Sequence, residues 1–420
     1  MTRPRVVVTG VGPITAVGIG RDAFLAGLRR AESAVRPIDR FDASPFGSRI
    51  AAQIDDFEAR EFIDPRRARR LERFGQFAVA SASLALADAS LTAAEIEGDR
   101  AAVQMGSALG GLAHAQTQFA TFLDHGIRAV DPRVATSVFS GAASCEVAIE
   151  FGLHGPNSTN AMSCASGTIA IGEAFRLLRD GMADVAIAGG VEVPLGPLSF
   201  GAFALIRALS ARNDAPHRAC RPFDRDRDGF VMGEGAAALV LETLGHARAR
   251  GAHIYAEVAG YGVTNDGHSM VAPRPEGTQA AAAMRAAMRM ADLAPGDVAV
   301  INAHASSTPL NDATESRVIR EVLGPVADDV AVIGTKPYHG HPLGASGAIE
   351  AVVSCLAFES GWLPPILNLD APGAGCDLDY VTGSGRICAP GVTLSNSFGF
   401  GGINACLVLV PGSALAREGC

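Results

Sequence analysis

Three residues of this 420-residue chain have the type and setting for covalent chemistry at a carbonyl carbon: Cys164, His304 and His341. Cys164 stands in Asn160-Ala161-Met162-Ser163-Cys164-Ala165-Ser166-Gly167, between a strand-like segment and an Ala-rich helical stretch. A thiol at a helix N-terminus meets the positive end of the helix dipole and free backbone N–H groups. Both lower its pKa and favour the nucleophilic thiolate. Its small neighbours leave room for a substrate, although a buried structural cysteine fits the same surroundings.

His304 follows the apolar segment 298–302 in His304-Ala305-Ser306-Ser307-Thr308, and His341 closes Lys336-Pro337-Tyr338-His339-Gly340-His341 before a glycine-punctuated turn. Imidazoles in such loops can stabilise a developing oxyanion or exchange a proton near neutral pH. One histidine alone is more often structural. The glycines of Ser397-Phe398-Gly399-Phe400-Gly401-Gly402 could present backbone N–H groups as an oxyanion hole, or simply form a turn. Asp224-Arg225-Asp226-Arg227-Asp228-Gly229 opens like an EF-hand loop. Its twelfth position is Gly235 rather than Glu, and its two arginines would repel a cation, so no metal site is read there.

These residues need a scaffold. Short apolar, β-branched segments at 5–9, 101–105, 184–188, 237–241, 298–302, 330–333 and 405–410 read as strands. Ala-rich stretches at 68–90, 165–180, 277–292, 312–323 and 346–359 read as helices. Their alternation predicts an α/β architecture. The two parts of the chain also echo each other. Val6-Val7-Val8-Thr9-Gly10-Val11-Gly12 resembles Ala256-Glu257-Val258-Ala259-Gly260-Tyr261-Gly262, and each is followed by a long helix and a short strand. Each part then has a small-residue turn into a helix, at Cys164 in one and after His341 in the other. An internal duplication would make residues 1–255 and 256–411 two halves whose equivalent turns face a shared cleft, with 412–420 as a frayed tail.

Composition bounds the partners. Apolar residues make up 48% of the chain, enough for a sizeable core, and the formal net charge of −9 disfavours nucleic acid. The local run Arg66, Arg67, Arg69, Arg70 and Arg73 reads by itself as a solvated helix face. No apolar run is expected to span a membrane and no secretion signal is evident, so a cytoplasmic protein is expected. The eight cysteines are scattered without a C-x-x-C pair, which indicates neither a zinc site nor a disulfide framework.

Taken in order along the chain, the motifs resemble those of the elongating β-ketoacyl-acyl-carrier-protein synthases of type II fatty acid and polyketide synthesis. They are Cys164-Ala165-Ser166-Gly167, Arg221 to Gly235, His304 to Asp312, Lys336 to Gly347 and Asn396 to Gly402. The likeness covers about residues 3–410. It implies a thiolase-like five-layer αβαβα fold of two fused, pseudo-duplicated halves. It implies a homodimer, or a heterodimer with a chain-length-factor-like subunit. The implied reaction loads an acyl group from acyl carrier protein onto Cys164 and extends it with decarboxylated malonyl carrier protein, without a cofactor. The backbone N–H groups of Cys164 and Phe400 would form the oxyanion hole. His304 and His341 would stabilise the enolate, and Lys336 and Glu350 would orient the site. Ser306 and Thr308 would hold the pantetheine arm. Leu109, Phe203, Phe398 and Val134, with Ala135 beside it, would line the acyl pocket. Arg69, Arg70 and Arg207 would grip the acidic carrier protein.

Two other readings compete. A non-catalytic chain-length subunit would typically lack Cys164. A thiolase or acyltransferase using coenzyme A esters would be expected to carry a second cysteine in the closing loop rather than His341. The chain departs from the family's usual pattern at Ser163, at Ala305-Ser306 and at Pro337-Tyr338-His339. None of these departures removes a catalytic group; together they point to a specialised synthase.

Overall fold

A computed structural model describes residues 3–389 and 391–415. The chain begins with β1 (Val6–Thr15), α1 (Arg73–Asp88), β2 (Ala101–Gly106), α2 (Leu112–His125), α3 (Ala142–Phe151) and β3 (Asn157–Asn160). It continues through α4 (Ser166–Arg179), β4 (Val185–Glu192), α5 (Pro197–Leu205) and β5 (Gly235–Thr243). Then follow β6 (Ala256–Asn265), α6 (Thr278–Met290), β7 (Val298–Asn302), α7 (Pro309–Leu323) and β8 (Ala331–Ile333). The last main elements are α8 (Ser346–Ser360), β9 (Asp379–Tyr380), β10 (Val392–Gly399) and β11 (Ile403–Pro411).

The strands form one ladder in the order β9-β8-β7-β10-β11-β6-β1-β5-β4-β2-β3. Its two wings repeat one plan. From β3 to β1 the successive pairings are parallel, parallel, antiparallel and antiparallel. From β8 to β6 they are the same. The wings meet where Val6, Val7 and Val8 pair with Val258, Glu257 and Ala256.

Layering follows from burial. All ten residues of β1 are buried, and such uninterrupted apolar strands need cover on both faces. α4 and α8 pack together between the two wings, α4 touching β2 and β4 on one side and β6 and β11 on the other. α1 and α3 close one outer face; α6 and α7 close the other. The result is the expected αβαβα stack.

The echoed glycines show why the two wings share a sequence signature. A Cβ on Gly10 or Gly12 would lie 2.2 or 2.1 Å from a carbonyl oxygen of α1, at Ala85 and Ser81. A Cβ on Gly260 or Gly262 would lie 2.2 or 2.1 Å from the carbonyl oxygens of Ala287 and Ala283 in α6. In both wings the helix backbone rests directly on the strand.

Some expectations change. The helix expected from residue 68 begins at Arg73, because Pro65–Ala68 forms its own turn and the Glu72 side chain caps the N–H of Gly75. β3 and β10 carry no apolar strand signature: β3 is polar Asn-Ser-Thr-Asn, and β10 has Ser and Asn among its apolar positions. Of the expected tail, Gly412–Leu415 forms a short helix with Leu415 buried, and 416–420 lie outside the described residues. Leu343–Ser360 is, by length and composition, apolar enough to cross a membrane, contrary to the sequence reading. It is 83% buried, as the central helix of a five-layer stack must be.

Candidate active site

Two matching turns present the chemistry. Ser163–Ala165 leads into α4 and Leu343–Ala345 into α8. Each opens on a non-glycine residue in the left-handed region, Ser163 at φ 51° and Leu343 at φ 35°. Such conformations persist only where the surroundings over-determine them. Cys164 sits in the first turn, and His341 lies two residues before the second.

One cavity is lined by Cys164, His304, His341, Phe203, Phe398 and Phe400, together with Ser306 and Thr308. The rings of His304 and His341 stand edge to face with centroids 5.4 Å apart. Phe398 lies 5.9 Å from His304 and Phe230 5.1 Å from His341, so apolar rings back both imidazoles. Burial, then the charge of Lys336, holds both histidines well below their ordinary pKa, and the site contains neutral imidazoles. Nδ1 of His341 shares a hydrogen bond of 2.7 Å with Ser346 Oγ. Nδ1 of His304 is buried without a hydrogen-bond partner.

Burial pushes the Cys164 thiol up to about 11, against the opposing pull of the Ser163 hydroxyl, Lys336 and the Phe400 N–H. The depressed thiol expected from the helix terminus is therefore corrected. The side chain is 8% exposed, and desolvation of the thiolate outweighs the neighbouring dipoles. Gly399 leaves the nucleophile's backbone open: a Cβ there would be 3.1 Å from the Cys164 nitrogen.

Lys336 and Glu350 are not at the cavity surface but behind it. The Lys336 ammonium donates to the carbonyl oxygen of His304 and to Glu350, and both side chains are buried. Burial pushes the Glu350 carboxyl up while Lys336 opposes it. Ser306 Oγ and Thr308 Oγ1 share a hydrogen bond of 2.9 Å, and Thr308 caps α7 through the N–H of Asn311. Phe203 stacks on Phe400, with centroids 5.9 Å apart. Leu109 does not line the cavity but packs against the apolar cluster that contains Cys164. Val134 and Ala135 lie on the short surface helix Val134–Ser137, half-buried and exposed, and are not among the residues lining this cavity.

The arginine cluster divides. Arg67 pairs with Glu146 and Glu150, and Arg73 pairs with the buried Glu234. Arg69, Arg70 and Arg207 are exposed, and Arg207 follows the exposed Leu205 and Ile206. In the calcium-like loop the Asp224 carboxylate is filled by Arg221 and by the N–H groups of Asp226, Asp370 and Ala371.

Several participants gave no signal in the sequence. Glu315, eleven residues after His304, accepts the N–H groups of His304 and Ala305 at 2.8 and 2.9 Å. The Asn302 amide donates to the Glu350 carbonyl at 2.7 Å. Asn302, Glu350, Ser395 and Asn396 each bury an oxygen without a hydrogen-bond partner. Asp266 and Asn404 line the cavity and are joined by a hydrogen bond of 2.8 Å. A lone acid or amide in a loop has no periodicity to mark it.

The model of the β-ketoacyl synthase N-terminal domain matches residues 3–247, and that of the C-terminal domain residues 255–370. A 3-oxoacyl-[acyl-carrier-protein] synthase 2 of Synechocystis is 45% identical over 407 residues, 97% of this chain and 98% of that protein. The protein of the same name from Coxiella burnetii is 42% identical over 409 residues, 97% of this chain and 99% of its own. Among solved structures, a type II PKS acyl-carrier protein in complex with its ketosynthase bound to the hexaketide matches at TM-score 0.91 and 33% identity. That match covers 98% of this chain and all of the other. The ishigamide ketosynthase/chain length factor matches at TM-score 0.91 and 34% identity, with the same coverage.

Proposed function

The chain belongs to the β-ketoacyl synthase family, and on that premise we propose which of its residues carry the reaction. The enzyme is an acyltransferase that condenses an acyl-enzyme thioester with malonyl-acyl carrier protein, with loss of carbon dioxide. The product is β-ketoacyl-acyl carrier protein, in fatty acid or type II polyketide biosynthesis.

Cys164 is the nucleophile. Its sulfur attacks the acyl thioester, the carbonyl carbon's bond to the pantetheine sulfur breaks, and the thiol proton ends on the leaving pantetheine sulfur. The N–H groups of Cys164 and Phe400 hold the tetrahedral oxyanion. Malonyl carrier protein then enters. Its carbon–carboxylate bond breaks, carbon dioxide leaves, and the electron pair enters an enolate stabilised by the Nε2–H groups of His304 and His341. The enolate carbon attacks the acyl thioester, and Cys164 departs as thiolate. Imidazoles held neutral suit this work, because a hydrogen-bond donor rather than a cation faces the enolate. Lys336 and Glu350 orient the His304 backbone from behind. Ser306 and Thr308 hold the pantetheine arm, while Phe203 and Phe398 form the acyl wall, with Leu109 packed behind it. The halves divide at residue 255.

The carrier protein docks on Arg69, Arg70 and Arg207, exposed cations on an acidic enzyme. A second subunit, either a copy of this chain or a chain-length-factor-like sister, covers the face around β3. That strand ends the ladder, and α2 exposes Phe119, Phe122 and Leu123.

The observation that carries the assignment is the meeting of Cys164, His304 and His341 in one buried cavity at two matching turns. The test is condensation by the purified protein, followed by mass spectrometry of enzyme and product. Acylation lost in Cys164→Ala, together with a β-ketoacyl product two carbons longer, is expected. Acylation persisting in Cys164→Ala would overturn the assignment.

A further inference from the structure

Glu192 ends β4 fully buried, and the reaction above does not use it. Its carboxylate gathers four donors. Oε2 accepts the N–H groups of Ala108 at 2.6 Å and Gly344 at 2.9 Å. Oε1 accepts the N–H of Leu109 at 3.0 Å and the Ser107 hydroxyl at 3.2 Å. Three donors belong to the loop after β2, which carries Leu109 of the apolar wall. The fourth belongs to the turn after His341, in the other half of the fold.

The duplicated ladder reveals what this position corresponds to. Laying Gly10 on Gly260 places Ile14 on Thr264, and hence their partners Ala236 on Asn404. The next residues back, Gly235 and Ile403, pair with Glu192 and Gly399. Glu192 is therefore the twin of Gly399, and Gly344 is the twin of Cys164 in the matching turn. In one half a glycine leaves the Cys164 N–H open to a substrate oxyanion. In the other half a carboxylate sits on the Gly344 N–H. The fit is tight: a Cβ on Gly344 would lie 2.5 Å from the Ala108 nitrogen and 2.7 Å from Glu192 Oε2.

We infer that Glu192 is a positioning residue for decarboxylation: it fills the twin of the oxyanion hole with a resident carboxyl group and locks the His341 turn against the loop after β2. Gly344 lies between His341 and Ser346, the hydroxyl that holds the His341 ring at 2.7 Å. Releasing its N–H loosens both ends of that contact. The inference rests on the assignment of His341 to the enolate step.

The test separates the two half-reactions in the full-length enzyme. Acetyl transfer from acetyl carrier protein to Cys164 is followed by intact-protein mass spectrometry, and carbon dioxide release from malonyl carrier protein is followed in parallel. Glu192→Gln keeps the side chain's shape but turns one acceptor into a donor facing N–H groups. The expected result is a tenfold or greater fall in carbon dioxide release with acetyl transfer within twofold of the parent. Equal losses in both steps, or no loss in either, would overturn the inference. Should Glu192→Gln not fold, Ser107→Ala removes one donor to Glu192, together with the acceptor of the Gly110 N–H. It is expected to lower carbon dioxide release two- to fivefold and leave acetyl transfer unchanged; an unchanged release would overturn the inference. His341→Ala run alongside tells the failures apart. If it decarboxylates at the parent's rate, the assignment of His341 fails. If it is slow while Glu192→Gln is not, only the role of Glu192 fails.

Discussion

His304 and His341 come from loops 37 residues apart, yet their rings meet edge to face at 5.4 Å, interplanar angle 80°. The contact holds two neutral imidazoles side by side over the cavity that contains Cys164. Lys336, which binds the His304 carbonyl, supplies the nearby positive charge that disfavours protonation of either ring.

Removing either ring takes a donor from the enolate. His304→Ala and His341→Ala are each expected to slow carbon dioxide release from malonyl carrier protein by roughly 10²–10³-fold, the cost of one oxyanion donor. Alkylation of Cys164 by iodoacetamide in both variants should stay within a few-fold of the parent. Decarboxylation that survives in both would reassign the step.

The two histidines should not titrate in the neutral range. Both are held well below 6.5 in the folded protein, whereas in the unfolded chain they protonate near about 6.5. Below that pH the unfolded state binds more protons, so this pair's contribution to stability is full above the unfolded value and is lost as pH falls beneath it. NMR of ring Cε1–H signals, assigned with the His→Ala variants, checks this between pH 5.5 and 8. Midpoints near 6.5 for His304 and His341 would refute it.

Lys336 and Glu350 form a buried pair whose members depend on each other. Lys336→Met or Glu350→Leu alone strands a buried charge and is expected to cost about 3–5 kcal/mol. The double variant should recover much of that stability but not the activity, since the His304 carbonyl has lost its anchor. Denaturant unfolding of the three variants gives the cycle directly, and additive losses would show that the pair is not coupled.

Arg69 and Arg70 are exposed and stand apart from the cavity. Arg69→Glu/Arg70→Glu is expected to raise KM for acyl carrier protein about tenfold at low salt with kcat unchanged. The gap should narrow as salt shortens the screening length. A fall in kcat at saturating carrier protein would place these residues nearer the chemistry than the structure does.

At Gly12 and Gly262 a Cβ would lie 2.1 Å from a helix carbonyl oxygen. Gly12→Ala and Gly262→Ala should each cost about 3 kcal/mol or more, because backbone rather than a yielding side chain stands in the way. Alanine at Gly296, which has nothing within 4 Å of the added atom, is the control. Thermal melts that do not distinguish the three would disprove the close packing.

Much was legible in the sequence because it is written in local patterns. Apolar runs and Ala-rich stretches marked strands and helices, since burial of one face imposes a period on the chain. The paired glycine segments marked the duplication, because a strand that carries a helix backbone at contact distance cannot bear a side chain. Cys164, His304, His341 and the Gly399–Gly402 loop were visible through residue types in small-residue turns, and Lys336 through the family resemblance. Tertiary structure decided the rest. Only packing shows that desolvation raises the Cys164 thiol and that Lys336 stands behind the site. Glu192, Glu315 and Asn302 act through backbone partners between 10 and 152 residues distant, and no spacing along the chain encodes a contact that only the packed layers create.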